Sequence, residues 1–353
     1  MLRLCVRSRV RQFINELPDS LDETYERVLK GIPKMNQDHV QRLLQCLVVA
    51  IRPLRVDELT EILAFDPDGI EGEVATLDTA SSLEDQEQEL LFVCPSLITI
   101  VDSEGWRGVE RIVQFSHFSV KEFLTSRRLS TSNKDISLYY HILHEPAHTT
   151  LAQASLEVLL RLDDRVDDKN ARNIPLVEYA AEHWVSHIQA ANLNPPPLPV
   201  IRMMEELFDL DKPHFAAWVR IYDIDTAKFL DCDAPQSLYY AARCGFYGLV
   251  EHLINNYPEH INALGGSSDY PLVAALRNRH IQVAELLLQH GANVDGRGKF
   301  GLTPLHQEIR HHNYPMLSAV RLLLEHGADV NAQQRDLKTP LHLATAQWNP
   351  LVA

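Results

Sequence analysis

Apolar positions recur at helical spacing from Leu21 onward: Leu21, Tyr25, Val28, Leu29 and Ile32 share one face of a helix that Ser20 and Glu23, three apart, would cap. Gly31 and Pro33 break it. Val40, Leu43, Leu44, Leu47, Val48 and Ile51 give a second stripe that stops at Arg52-Pro53, and Leu59, Ile62 and Leu63 a short third one over residues 56–63. Asp66-Pro67-Asp68-Gly69 signals a turn and the start of a long acidic loop, with order expected to resume near Leu90. There the period changes to two. Residues 96–101 are rich in β-branched side chains, 102–108 hold turn formers and 109–115 alternate, which predicts a hairpin. A helix follows directly, with Ser119 and Glu122 at capping-box spacing and Phe118, Phe123 and Leu124 turned inward. Helix, helix, helix, hairpin, helix is the order of a winged-helix domain.

The middle of the chain keeps the helical period. Pro146 opens a helix bearing Leu151, Ala154, Val158 and Leu159; Pro175 opens another bearing Leu176, Tyr179, Ala180, Trp184 and Ile188. A proline run at Asn194-Pro-Pro-Pro-Leu-Pro199 reads as a stiff extended segment, with further helices expected around 203–208 and 215–222. Then the chain repeats itself. Leu286-Leu-Leu-Gln-His-Gly-Ala-Asn-Val-Asp295 returns thirty-six residues later as Leu322-Leu-Leu-Glu-His-Gly-Ala-Asp-Val-Asn331. Gly291 and Gly327 fit the positive φ of a helix C-cap, and Thr303-Pro-Leu-His306 and Thr339-Pro-Leu-His342 fit helix starts. Leu238, Leu272, Leu305 and Leu341 mark copies 34, 33 and 36 residues apart, the excess falling around 313–317. This period and these residues resemble the ankyrin repeat. About three and a half copies are expected. The last lacks a polar cap, so fraying or association at that edge is expected, with faster exchange at Leu341 than at Leu287.

Composition narrows the function. With 353 residues, two or more domains are expected. The net charge of −15 disfavours phosphate backbones and anionic membranes. Between Val56 and Trp106 fourteen acids stand without a lysine or arginine, so neither DNA nor any other nucleic acid is an expected partner of the winged helix. Cys5, Cys46, Cys94, Cys232 and Cys244 form no Cys-x-x-Cys pair, and no apolar run approaches a membrane span. The expected setting is reducing and cytoplasmic, with no membrane. Arg3, Arg7, Arg9 and Arg11 near the start read as a solvated basic helix end rather than a transit peptide.

Four stretches together resemble fungal NACHT proteins with ankyrin repeats: Leu17-Pro-Asp-Ser-Leu-Asp-Glu-Thr-Tyr-Glu-Arg27, Ala50-Ile-Arg-Pro-Leu-Arg-Val-Asp-Glu-Leu59, Gln114-Phe-Ser-His-Phe-Ser-Val-Lys-Glu-Phe-Leu124 and Pro175-Leu-Val-Glu-Tyr-Ala-Ala-Glu-His-Trp184. The resemblance implies a mainly α architecture: a remnant of a preceding helical segment at 1–16, a winged-helix domain at 17–130, a helical linker region at 131–235 and an ankyrin-repeat solenoid at 236–353. No G-x-x-x-x-G-K-[S/T] loop occurs, so the nucleotide-hydrolysing core of such proteins is missing and no cofactor is called for. The chain reads as the C-terminal part of that plan, shortened at both ends, or as a gene model that has lost its neighbours. By the same resemblance His117, at the strand-to-helix junction, would sense a nucleotide's β-phosphate if that core were present; the competing reading is a capping or core histidine.

Other candidate chemistry is weaker. His144-Glu-Pro-Ala-His148 matches the H-E-x-x-H zinc signature, but Pro146 is expected in the first helical turn, with His144 outside the helix and His148 just inside. A metal-dependent hydrolase at His144 and His148 is therefore a lesser alternative, as is a winged-helix DNA-binding protein, and no metal site is expected. His183 and His187 read as flanks of a packed helix, Asp163-Asp-Arg-Val-Asp-Asp168 as a solvated loop, and His306 and His342 as structural hydrogen-bonders. The leading expectation is a non-enzymatic interaction and regulatory protein whose repeats bind a protein partner through turn tips and inner helices, with Arg297, Lys299, Phe300, Gln307, Arg310, Gln334 and Arg335 as exposed contacts.

Overall fold

A computed structural model describes residues 20–64, 83–94, 96–105, 108–127, 129, 136, 139–163, 174–193, 195–225, 236–265, 270–298, 301–311 and 317–346. Contacts gather the chain into two compact units, Met1–Val158 with Arg172–Leu193, and Leu159–Ala171 with Asn194–Ala353. The fold is mainly helical. Among the described residues no helix is long and apolar enough to cross a membrane.

The first unit opens with α1 (Leu21–Lys30), capped as its sequence predicts by the Ser20 hydroxyl, which accepts the Glu23 N–H at 3.2 Å. Its buried stripe is the i, i+4 pair Tyr25 and Leu29; Leu21, expected inward, is exposed. Helix α2 (Gln37–Val49) buries Val40, Leu43, Leu44 and Val48, and because it ends at Val49, Ile51 falls outside the stripe. Then come the two-residue strand β1 (Leu54–Arg55) and α3 (Val56–Ala64). The turn at 66–69 and the acidic loop after it lie outside the described residues. Order returns earlier than expected, in α4 (Leu83–Val93). Its buried positions include Gln86 as well as Leu90, which breaks the apolar period that would have announced it.

The hairpin forms where the alternation placed it. Strands β2 (Ile98–Gly105) and β3 (Gly108–Phe115) pair antiparallel from Ile98 opposite Phe115 to Gly105 opposite Gly108. Strand β1 adds to the other edge of β3, giving the order β1-β3-β2. Helix α5 (Phe118–Thr125) follows, but its N-cap is His117, not Ser119. Phe118 is thereby the first helical residue and 68% exposed, while Val120, Phe123 and Leu124 are buried. Helices α6 (His144–Leu160) and α7 (Val177–Ala191) complete the unit. His144 is the first residue of α6, not outside it, since a proline at the third position costs no helical hydrogen bond.

In the second unit α8 (Leu198–Leu207) begins inside the proline run, where Pro199 fits the first turn, five residues ahead of the expected start. After α9 (His214–Ile221), Phe215 and Trp218 pack edge-on against Tyr240 at ring separations of 5.5 and 6.0 Å, covering the entry to the repeats. Three helix pairs follow: α10 (Ser237–Cys244) with α11 (Tyr247–Asn256), α12 (Pro271–Arg277) with α13 (Ile281–Gln289), and α14 (Pro304–His311) with α15 (Leu317–Glu325). Helix α16 (Pro340–Ala346) starts a fourth. The marker leucine is 1% exposed at Leu272 and 3% at Leu305 but 54% at Leu341, where no outer helix is described. The residues of the three-residue excess, apart from Leu317, lie outside the described residues.

Gly291 (φ 94°) and Gly327 (φ 85°) end α13 and α15 as their positions require, with Ala292 N–H reaching back to Leu287 O and Ala328 N–H to Leu323 O. The turn between inner and outer helices is made the same way. Gly245 (φ 78°) occupies it in the first repeat, but Arg279 (φ 65°) in the second, where His280 N–H donates to Ala275 O at 2.9 Å. A Cβ in this left-handed region costs about 1 kcal/mol. Arg279→Gly should therefore raise the stability of the repeats by about that amount, seen as a higher urea midpoint; a lower midpoint would show that the arginine side chain holds the turn.

Candidate functional site

The chemistry of the first unit concentrates at one corner. Glu58 is the third residue of α3 and has 0% exposure. Its carboxylate accepts the Arg55 backbone N–H at 2.8 Å, the capping-box bond of a helix start. It also accepts both terminal nitrogens of Arg52, at 2.8 and 2.5 Å, and lies 3.2 Å from Arg55 Nη1. Arg55 turns its Nη2 to Pro175 O at 2.8 Å and its Nε to Asp57 at 3.1 Å. Glu61 accepts the Leu176 N–H at 2.7 Å. The Arg52 guanidinium lies 4.9 Å from the centre of the Tyr179 ring, and the Tyr179 hydroxyl accepts the Ile51 N–H at 3.2 Å. The stretch 50–59 is thus clamped to the start of α7. A cleft of about 540 Å³ opens here, lined by Arg52 and Arg55 but also by Glu104, Glu110, Glu178 and Glu182. Since Glu58 and Asp57 already neutralise the arginines, it does not favour an anion.

Tyr179 also anchors a buried histidine chain. Its hydroxyl is 2.8 Å from His187 Nε2, and His187 Nδ1 is 2.8 Å from His148 Nδ1. The Nδ1–Nδ1 contact needs one ring to donate and the other to accept, so the two imidazoles hold complementary tautomers. Burial, with His148 and His183 adding repulsion, holds His187 from 6.5 down to about 3. Burial and His144 lower His148 too. His148 therefore meets His187 rather than sharing a site with His144, and no group of three ligand residues able to hold a metal ion occurs among the described residues. His183 is buried as well, edge-on to Tyr179. Sequence spacing gave no sign of this pairing, which spans 39 residues. Cys46, Cys94 and Cys244 are buried thiols outside any disulfide, pushed up to about 12, so they stay protonated and unreactive.

His117 is exposed. Its Nδ1 accepts the Ser119 N–H at 3.2 Å and lies 2.6 Å from the Ser119 hydroxyl, itself 2.7 Å from the Tyr25 hydroxyl. A neutral ring with Nδ1 accepting carries its proton on Nε2, and no hydrogen bond to Nε2 occurs among the described residues. The side chain caps α5 and presents a donor outward.

On the repeats, Thr303 Oγ1 and His306 Nδ1 are 2.8 Å apart, and His306 Nε2 reaches Lys338 O at 3.1 Å, tying the third repeat to the fourth. Thr339 and His342 form the same pair at 2.7 Å. Of the expected contact residues, Arg297, Arg310 and Arg335 are exposed and Gln334 is half-buried. Arg297 Nη1 donates to Gln333 O at 2.5 Å, bridging adjacent turn tips. Gln307 is a correction: at 6% exposure it is buried, because the fourth helical position of α14 faces the neighbouring inner helices rather than solvent. Lys299 and Phe300 lie outside the described residues.

The family of ankyrin repeats matches residues 238–334 in three copies, and the family described as "GPI inositol-deacylase, winged helix domain" matches residues 25–135. The chain carries both domain types. Neither is a catalytic type. Over 300 residues it is 31% identical to the "Azaphilone pigments biosynthesis cluster protein L" of Monascus ruber, an alignment covering 80% of this chain and 61% of that protein. It is 35% identical over 81 residues to "Alpha-latrocrustotoxin-Lt1a" of Latrodectus tredecimguttatus, covering 23% of this chain and 6% of that one. The chain thus spans less than two thirds of either relative's length.

Two measurements test the clamp and the histidine chain. Glu58→Gln removes the only carboxylate bonded to Arg52 among the described residues and leaves Arg55 with Asp57 alone, and should destabilise the first unit by about 3 kcal/mol; a loss below about 0.5 kcal/mol would mean that water replaces the carboxylate. For His187, the folded pKa lies below the unfolded one, so its stabilisation is complete above pH 6.5 and is lost as pH falls from there toward about 3. Between pH 6.5 and 5, urea unfolding should show wild-type stability falling about 1.4 kcal/mol per pH unit more steeply than that of His187→Asn. Parallel slopes would place the proton elsewhere.

Proposed function

We propose that this chain is a non-enzymatic interaction and regulatory component of a NACHT-type signalling protein. In this reading the ankyrin repeats bind a protein partner, and the winged helix with α6 and α7 forms the block that couples binding to a nucleotide switch. The observation that carries it is the stack of helix pairs with Arg297, Arg310 and Arg335 exposed on turn tips and an inner helix. The four motif stretches and the winged-helix match support the NACHT-type setting. The likeness to a pigment biosynthesis cluster protein makes a fungal specialised-metabolism context part of the same reading. A cytoplasmic location, and association through the exposed Leu341, belong to it too.

His117 enters conditionally. Its outward Nε2–H fits a phosphate acceptor, and with an NTPase core supplied it would contact the nucleotide's β-phosphate while Nδ1 keeps the α5 cap. Supplying that core and changing His117→Ala should alter nucleotide exchange; unchanged exchange would reduce the residue to a cap. For the interaction itself, affinity capture with the full chain should recover proteins that the chain lacking 237–353 does not. Identical recovery would sink the partner-binding reading.

A further inference from the structure

The inner helices of the three complete repeats each carry an arginine five residues after the marker leucine: Arg243 after Leu238, Arg277 after Leu272 and Arg310 after Leu305. Among these three helices the sole acid is Glu308, which is 2% exposed. The outer helices are the reverse, with Glu251, Glu285 and Glu325 against Arg321. In a protein with a net charge of −15, the repeats therefore gather positive charge along one row. The fourth inner helix has Ala346 at this position, so the row has three members.

The first member already holds an acidic segment. Arg243 Nη1 is 3.3 Å from Asp225 Oδ1, and its Nη2 donates to Ile224 O at 3.0 Å. The Tyr239 hydroxyl donates to Asp225 Oδ2 at 2.7 Å and the Tyr240 hydroxyl to Asp223 Oδ1 at 2.8 Å. One guanidinium thus takes a carboxylate and a peptide carbonyl of the same short segment, Asp223-Ile-Asp225. We propose that Arg277 and Arg310 receive an acidic, extended segment of a protein partner in this way, which names the partner chemistry of the interaction reading above and rests on it. Packed helices lie about 9 Å apart, and an extended chain of the polyproline-II type advances about 3.1 Å per residue and returns to the same side every third residue. The matching segment carries acids about three residues apart on that one side, an acid-x-x-acid pattern. Arg277 is half-buried and Arg310 exposed, and both make contacts within the chain. A guanidinium has five donors, so an internal contact leaves others for a guest. The occupied position, where Arg243 takes a carboxylate and a peptide carbonyl, argues for an acidic peptide over a nucleic-acid phosphate.

The probe is a fluorescein-labelled peptide of about twelve extended residues with aspartate at every third position, measured by anisotropy on the full chain at low and moderate salt. It should bind at least about ten-fold tighter than a peptide of the same composition with the aspartates contiguous, and weaken as salt rises. The double variant Arg277→Gln, Arg310→Gln should lose about ten-fold or more with an unchanged circular-dichroism melt. Arg277→Lys with Arg310→Lys should keep part of the binding, since charge remains while the fork is lost; it also serves if the glutamine variant fails to fold. No binding of the spaced peptide, equal binding by the folded glutamine variant, or displacement by duplex DNA at lower concentration would each overturn the proposal. If proteins whose capture depends on 237–353 are still captured by the glutamine variant, the arginine row is refuted while partner binding stands. If no capture depends on those residues, the underlying reading fails.

Discussion

A carboxylate removed from water has to be surrounded by donors, and Glu58 is surrounded by two arginines and a helix-start amide. That constraint organises the first unit. The guanidinium of Arg52 fits the carboxylate as a fork, which fixes Ile51 and Pro53 on either side of it. Arg55, held at its backbone by the same carboxylate, has its far nitrogen free to reach Pro175 O. The strand–helix corner and the start of α7 are consequently joined through groups that are all charged or all peptide. Loss of the Glu58 carboxylate removes the acceptor that its donors share, so the contacts around it depend on one another.

The stretches that stand out in the sequence turn out to be those that touch one another. Tyr25 from the stretch 17–27 meets Ser119 at 2.7 Å and Phe123 at a ring separation of 5.5 Å, both in the stretch 114–124. The stretch 50–59 meets 175–184 through Arg55, Glu61, Arg52 and Tyr179. Apolar core positions accept any side chain of similar volume, whereas a hydrogen bond to a chosen atom accepts few. Distinctive runs therefore mark polar contacts, while the helices between them are anonymous leucine and valine stripes.

The same difference explains what was legible. Helices α1, α2, α3, α5 and α7, the hairpin and the repeat turns follow from periodicity, caps and glycines, because each signal lies within one turn of the element it shapes. Strand β1 has two residues, too few to alternate, and α4 hides behind Gln86 and its acidic first turn. The cap of α5 shifted because a histidine can use Nδ1 as Ser119 uses its hydroxyl, a competition that spacing alone does not decide. Glu58 was seen only as part of a motif, since nothing local tells a surface glutamate from one with 0% exposure. Gln307 erred in the opposite direction, a polar residue assigned to solvent on a helix whose neighbours bury it. The row of arginines was legible in principle, as a fixed offset from the repeated leucine, but it emerges only when the repeats are aligned on one another and the side of each helix is known.

That row also shows why bulk charge is a poor guide to what a repeat surface binds. Charges farther apart than a Debye length, about 8 Å at physiological salt, hardly sense one another through water. An incoming segment responds instead to the few groups it lies against. Acids elsewhere in the chain set the overall sign of the protein, while near the inner row Glu308 is buried and Asp225 is already bonded to Arg243. Screening lets an acidic protein hold a basic track, and the repeat geometry keeps that track in register because each turn fixes where the next inner helix begins.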